Sequence, residues 1–227
     1  MNKVNPKTTN SFPYDFFVMT RNQLDDLIAQ GEHTQLEFKR QLSSAQRIAR
    51  TLAAFANTSG GTLLIGVTDD GRIVGVPSEF REIGKLEDAT DRLIEPALAV
   101  SYETVAPDGR KVLIVVVAES NEKPHYVIDE AGKRTIYVRA KDKSMPTNKF
   151  IIGAPELAQT EFLKLPTTRS LIQYLRKNDY ITADRFAKLI NVSAYRAGKL
   201  LQQLTEQGLL ILIDKPRPVR YALKLTE

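Results

Sequence analysis

The sequence predicts an α+β fold with a mixed, mostly antiparallel sheet, followed by a small module of three helices and two strands. Three observations support this. Short strand-like segments are separated by tight turns at 70–71, 108–109 and 131–132. Only two helical segments lie among these strands. The last 60 or so residues then change to a helical pattern. We therefore expect a tail at 1–19, a first domain at 20–147, a linker at 148–165 and a second domain at 166–227.

The first domain should begin with a helix and a charged strand. Thr20 is a suitable N-cap, and Gly31 should end the helix. Residues 34–40, TQLEFKR, then alternate as a strand does, with Leu36 and Phe38 on one face. Glu37 and Lys39 would lie on the other face.

A second helix should follow, capped by Ser43 or Ser44 and ended by Gly60 and Gly61. The apolar run at 62–67 predicts a buried central strand, and the Asp-Gly pair at 70–71 predicts a hairpin. A further helix is expected at 84–98. Four more strands are expected at 100–106, 111–119, 124–129 and 134–140.

The C-terminal domain should contain helices at 167–179, 182–190 and 194–208, with Thr182 and Ser193 as caps. Two strands, at 209–214 and 219–225, surround the turn KPRP. Three helices followed by a two-stranded wing is the order of a winged helix-turn-helix.

Composition restricts the possible functions. The chain has no cysteine, which excludes disulfides and cysteine zinc sites and favours a reducing, cytoplasmic location. No apolar run is long enough to cross a membrane. Residues 166–227 carry 11 Lys/Arg against 5 Asp/Glu, whereas the preceding residues are nearly neutral. A basic module favours a polyanionic partner, although a solvated basic surface would give the same count.

The third helix of this module is the expected DNA-reading element, because its N-terminal half would enter the major groove. Its polar face offers residue types that contact bases, and the wing offers cations for phosphates. These candidates are Tyr195, Arg196, Lys199, Gln202, Gln203, Lys215, Arg217 and Arg220. In the first domain we add Lys39, Arg139 and Lys141.

Several segments of the first domain resemble the Schlafen-type AlbA family. They are GEHTQLEFKR, the block from Ala53 to Val76 with its Ala-Phe-Ala-Asn and Gly-Gly sequences, EKPHY and TIYVRA. Two positions depart from the family pattern: His33 replaces a small hydroxyl residue, and RAKDKSMP replaces an Arg-x-Gly-Ser run. The resemblance implies nucleic-acid binding and is compatible with a C-terminal winged helix.

The resemblance also implies an alternative, a divalent-metal nuclease. Glu32, Glu37 and Asp69, or Asp70 in its place, would then be both the catalytic carboxylates and the ligands of Mg²⁺ or Mn²⁺. Otherwise, Glu37 would pair with Lys39 or with Arg139 on the outer face of the sheet, and Asp69 would be a turn residue.

Other catalytic classes are not supported. Gly60 and Gly61 follow a helix, precede a strand and lack a following Lys-Ser/Thr, so they do not form an ATPase phosphate loop. Two histidines without cysteine give no nucleophilic set. We therefore expect a DNA-binding transcriptional regulator, acting on double-stranded DNA as a homo-oligomer and requiring no cofactor. The alternatives are the nuclease and a protein-interaction or oligomerisation platform.

Overall fold

The computed structural model describes residues 19–147 and 165–224, which form an α+β arrangement of helices and mostly antiparallel strands. Nearly all of the expected tail (1–19) and linker (148–165) lies outside these residues. No helix in the described part has the length and apolar character needed to cross a membrane.

The first sheet contains four strands in the order β1-β2-β5-β4. The β1-β2 pair is parallel and the other two pairs are antiparallel. The elements associated with it are α1 (Arg21–Ala29), β1 (Leu36–Lys39), α2 (Ala45–Asn57), β2 (Gly61–Ile65), α3 (Glu79–Arg92), β4 (Ser101–Val105) and β5 (Val112–Val117). The predicted caps are present, since Thr20 forms a capping box with Gln23 and Ser44 accepts from the backbone of Arg47.

A second four-stranded sheet, which the sequence did not predict, is antiparallel throughout and has the order β3-β6-β7-β8. Its strands are β3 (Ile94–Glu95), β6 (Tyr126–Ile128), β7 (Arg134–Ala140) and β8 (Lys143–Thr147). Helix α2 packs with both sheets, because Leu52 and Phe55 share one apolar core with Val115 of β5 and Val127 of β6. The β8 segment contains Pro146, which is tolerated at a sheet edge but weakens the sequence signal for a strand.

Two local predictions differ from the structure. The hairpin expected around 70–71 is reduced to a single bridge between Val67 and Ile73. Helix α3 begins at Glu79 rather than at residue 84, because the Ser78 side chain caps it by accepting from the backbone N–H of Arg81. It ends at Arg92 rather than at residue 98, and Ile94 and Glu95 form β3 instead.

The C-terminal region has the predicted order of three helices and two antiparallel strands. They are α4 (Pro166–Lys177), α5 (Ala183–Ile190), α6 (Ala194–Glu206), β9 (Leu210–Ile213) and β10 (Arg220–Leu223). Thr182 and Ser193 cap α5 and α6 as expected. A bridge between Ile181 and Tyr221 joins the α4-α5 connection to β10.

The C-terminal hairpin packs on the second sheet of the first domain. Ile213 and Ala222 form a buried apolar cluster with Ile136, Val138 and Ala140 of β7. Polar contacts surround this cluster. Asp179 pairs with Lys141 at 2.9 Å and with Lys143 at 3.2 Å, and the hydroxyl of Thr147 donates to Asp214 at 3.1 Å.

Candidate nucleic-acid interface

Glu37 and Arg139 form a buried ion pair. Arg139 Nη1 lies 2.6 Å from Glu37 Oε2 and also donates to the Ser144 hydroxyl. Its Nε and Nη2 donate to the backbone carbonyls of Thr34 and His33. The pairing of Glu37 with Arg139 is therefore confirmed, but it is internal rather than on an outer sheet face. The expectation that Arg139 contacts nucleic acid is wrong, because its side chain is inaccessible.

Glu32 and Glu37 approach each other around the same lysine. Lys39 Nζ lies 2.9 Å from Glu37 Oε1 and 3.8 Å from Glu32 Oε1. Glu32 Oε1 also accepts from the backbone N–H of Phe38 at 2.8 Å. Both carboxylates are thus held by groups of the protein, and the Lys39 ammonium, although its side chain is 41% exposed, already pairs with these two acids.

Asp69 lies exposed in the turn after β2. Its neighbour Asp70 accepts from the Thr68 hydroxyl, and this bond, together with the charge of Arg72, holds the pKa of Asp70 below its ordinary value. Across residues 19–147 and 165–224, no group of three or more acidic or histidine side chains is arranged to hold a metal ion. Glu32, Glu37 and Asp69 are therefore not assembled into a metal centre within these residues.

Lys141 also serves an internal contact. It occupies a left-handed backbone conformation (φ 53°) between β7 and β8, and its Nζ pairs with Asp179 of the C-terminal region. Two of the three cations proposed for the first domain, Lys39 and Lys141, are therefore engaged, and the third, Arg139, is buried. Other cations of this domain are more accessible, since Arg40, Arg47 and Arg50 are exposed.

Helix α6 separates its apolar and polar faces clearly. Ala197, Leu201 and Leu204 lie in the core of the C-terminal module. The opposite face carries the predicted contact residues, and Tyr195 is 71% exposed. The exposed set is Tyr195, Arg196, Lys199, Gln202 and Gln203. The Nζ of Lys199 lies 5.0 Å from the centre of the Tyr195 ring, so an aromatic ring and a cation share one turn of this face.

The hairpin cations differ in exposure. Arg217 is exposed in the turn between β9 and β10, and Lys215 is half-buried. Arg220 lies within β10, and its guanidinium carbon stacks 4.4 Å from the centre of the Tyr180 ring. Its buried Nε has no hydrogen-bond partner in the described part of the chain. Arg220 is therefore less available to phosphate than the sequence suggested, because a neighbouring aromatic ring covers one face of it.

Polar residues that the sequence did not assign to binding connect α2 to the second sheet. The Asn57 amide donates to the backbone carbonyls of His125 and Tyr137, and its oxygen accepts from the His125 N–H. Asn57 therefore links α2 to β7 and to the residue just before β6. His125 is buried, and its ring nitrogens lie 2.8 Å from the Pro96 carbonyl and 2.7 Å from the Ser120 hydroxyl, as expected for a structural histidine.

The architecture and this site define a class of protein: an α+β domain with two sheets, joined to a basic three-helix module whose α6 face is open. Residues 32–148, just over half of the chain, match the family model for the Schlafen, AlbA_2 domain. The chain belongs to this family. The matched range agrees with the resemblance inferred for residues 20–147.

Two solved structures are similar to parts of the chain. The DIP2311 protein from Corynebacterium diphtheriae has 23% sequence identity and a TM-score of 0.39, with 56% of this chain covered. The chain spans only 26% of the length of that protein. The N-terminal domain of a RecG-related protein from Nitrosomonas europaea has 24% identity and a TM-score of 0.40. The match covers 51% of this chain and 86% of the other.

Proposed function

We propose that the protein is a DNA-binding transcriptional regulator whose C-terminal module acts as a winged helix-turn-helix on duplex DNA. The observation that carries this proposal is the open polar face of α6, on which Tyr195, Arg196 and Lys199 are all exposed. Arg and Lys suit phosphate and guanine edges, and a helix of this width fits the major groove.

The geometry of the connection between α5 and α6 also supports DNA binding by α6. Asn191 adopts a left-handed conformation (φ 54°) at the end of α5, which turns the chain sharply towards Ser193 and α6. Arg196 and Lys199 therefore occupy the first two turns of α6, the part that a helix-turn-helix directs at bases. In the described residues, the Arg196 side chain makes no ion pair with the protein, so its donors are available.

Membership of the Schlafen, AlbA_2 family supports a nucleic-acid-related role for the first domain. We propose that this domain adds backbone contacts or joins two copies of the chain. Exposed Arg47 and Arg50 on α2 are better placed for phosphate than the buried Arg139. A homo-oligomer would present two α6 helices to one duplex.

The proposal is tested by fluorescence anisotropy with mixed-sequence DNA duplexes at about 50 and 200 mM salt. The affinity for DNA should fall steeply as the salt concentration rises, because binding of the protein's Lys and Arg side chains to phosphates releases counterions from the duplex. Arg196→Ala should weaken binding about tenfold or more, as expected for the loss of one charge-assisted contact. The matched control is Arg81→Ala, which removes an exposed arginine on α3.

Two results would contradict the proposal. One is a lack of binding at about 50 mM salt, where phosphate contacts are little screened. The other is an equal loss of DNA affinity in the Arg196→Ala and Arg81→Ala variants. The same reactions, repeated with Mn²⁺ and analysed on a denaturing gel, would reveal the nuclease activity of the alternative prediction as shortened strands. Self-association without DNA binding would instead favour the platform.

A further inference from the structure

Four arginines that are far apart in the sequence line one cleft of the first domain. The cleft has a volume of about 520 Å³, and Arg21, Arg40, Arg72 and Arg110 contribute to its wall. The topology explains their meeting. Arg40 follows β1, Arg72 lies in the turn after β2, and Arg110 precedes β5. Because β1 and β2 are parallel and β5 is antiparallel to β2, these three points lie at the same end of the first sheet.

Three of the four guanidinium groups already have partners in the chain, which restrict their positions, and Arg21 has two, because its Nε also lies 3.5 Å from Asp25 Oδ2. Arg21 Nη1 donates to Asp108 at 2.6 Å, and Arg72 Nε donates to Asp70 at 2.7 Å. Arg110 Nη1 donates to the Ile73 carbonyl at 2.9 Å. A guanidinium has five N–H donors, so each of the three retains donors for a ligand.

Arg40 differs from the other three. It is exposed, and within the described residues it makes no hydrogen bond or ion pair. Asp108 lines the wall beside the four arginines, and Asp25 and Asp70 pair with Arg21 and Arg72, so four cations stand against three acids. A site with one unengaged guanidinium and three pre-positioned ones is suited to an anion with several oxygens.

Besides the arginines, Asp108 and Thr68, the wall has an apolar part. Ile73, Val74 and Pro107 line the cleft, and Val74 is 40% exposed although it is a β-branched hydrophobic residue. The volume lies within the range of small-molecule sites, which combine apolar walls with a few placed polar groups. A bare inorganic anion would leave this apolar part of the wall unused.

We propose that this cleft binds a phosphorylated small molecule of about nucleotide size that carries two adjacent phosphates. The arginines would hold the phosphates, and Ile73, Val74 and Pro107 would pack against the uncharged part of the ligand. The proposal concerns binding alone, since the cleft has no phosphate loop of the ATPase kind. It is independent of DNA binding through α6.

The test measures binding by calorimetry of the full chain without DNA, with ADP, pyrophosphate and adenosine as probes. ADP should bind, pyrophosphate should bind more weakly because it lacks the apolar part, and adenosine should not bind. Arg40→Gln should weaken ADP binding by at least about tenfold, because a charge-assisted contact is lost. The control variant Arg81→Gln, outside the cleft, should bind ADP like the wild type.

Arg40→Gln is the decisive variant because Arg40 is exposed and its side chain makes no hydrogen bond or ion pair within the described residues. Its melting temperature, measured alongside, should equal that of the wild type. The proposal is overturned if ADP does not bind, or if adenosine binds as well as ADP. It is equally overturned if Arg40→Gln and Arg81→Gln bind ADP alike. Binding of a short oligonucleotide that depends on Arg40, without binding of ADP, would assign the cleft to nucleic-acid backbone and overturn the small-molecule site.

Discussion

The Nη1 atom of Arg139 lies 2.6 Å from the Oε2 atom of Glu37, although the two residues are 102 positions apart in the sequence. The pair connects β1 of the first sheet to β7 of the second. The guanidinium carbon also lies 4.7 Å from the centre of the Phe55 ring on α2. A charged pair thus joins three elements at the centre of the domain, where one ion without the other would be strongly unfavourable.

Glu37→Leu should therefore destabilise the domain by about 3–5 kcal/mol, because it leaves the Arg139 charge buried without its carboxylate. The measurement is the free energy of unfolding from urea denaturation. The matched control is Glu95→Leu, which breaks an exposed pair with Arg134 and should cost under about 1 kcal/mol. Equal losses in the two variants would show that the buried pair has no special role in stability.

Gly60 provides a second stability test, because it combines a left-handed backbone (φ 71°) with crowding. A Cβ there would lie 2.7 Å from the Val117 carbonyl oxygen, a backbone atom of β5 that cannot move aside easily. Gly60→Ala should lower the free energy of unfolding by clearly more than the roughly 1–2 kcal/mol expected for an alanine in the left-handed conformation alone. Gly132→Ala is the control, since Gly132 has φ 74° and open space around it. If thermal unfolding shows the same loss for both, crowding at Gly60 is unimportant.

The parts of the fold that the sequence predicted well depend on local chemistry. Thr20, Ser44, Thr182 and Ser193 cap helices through their own nearby backbone, so a few residues suffice to place each helix start. The buried strand β2 was equally clear from its continuous apolar run. The second sheet was missed because β3 has only two residues and the sequence of β8 is polar and contains proline.

The predictions that differ from the structure concern residues whose surroundings are set by long-range packing. Alternation along β7 puts Tyr137 and Arg139 on one face, but nothing local indicates that α2 and Glu37 contact Arg139 there. The exposure of the α6 residues was predicted correctly, because the spacing of apolar residues within this one helix determines which of its faces is buried. The arginine cleft combines four separate loops and helix ends, so only the sheet topology brings its members together.

Asp179 gives the contact between the two regions a pH dependence. Hydrogen bonds from Lys141 and then Lys143 hold the pKa of Asp179 below its ordinary value of about 4. The stabilisation from these pairs is therefore fully present above pH of about 4 and is lost as the pH falls through the lower pKa of the folded state. Asp179 is partly exposed, so the contribution should stay under about 1 kcal/mol.

Thermal unfolding of the wild type and Asp179→Asn from about pH 3 to 7 measures this contribution as the stability difference between them. The difference should be constant near neutral pH and shrink towards zero in acid. Asp26→Asn is the control, because Asp26 is exposed and makes no ion pair in the described part of the chain. A stability difference between wild type and Asp179→Asn that grows as the pH falls would show that protonation of Asp179 does not weaken this contact.

Under the proposed function, Arg217 should behave as a phosphate contact, in contrast to the α6 residues that we propose contact bases. It is exposed at the hairpin turn, outside the apolar core of the module. Arg217→Ala should weaken binding similarly for all duplex sequences and reduce the slope of log affinity against log salt by about one. Arg176→Ala, an exposed arginine in the last turn of α4, is the control within the same module. An unchanged salt slope for Arg217→Ala, or an effect confined to one DNA sequence, would show that the hairpin turn does not lie against the phosphate backbone.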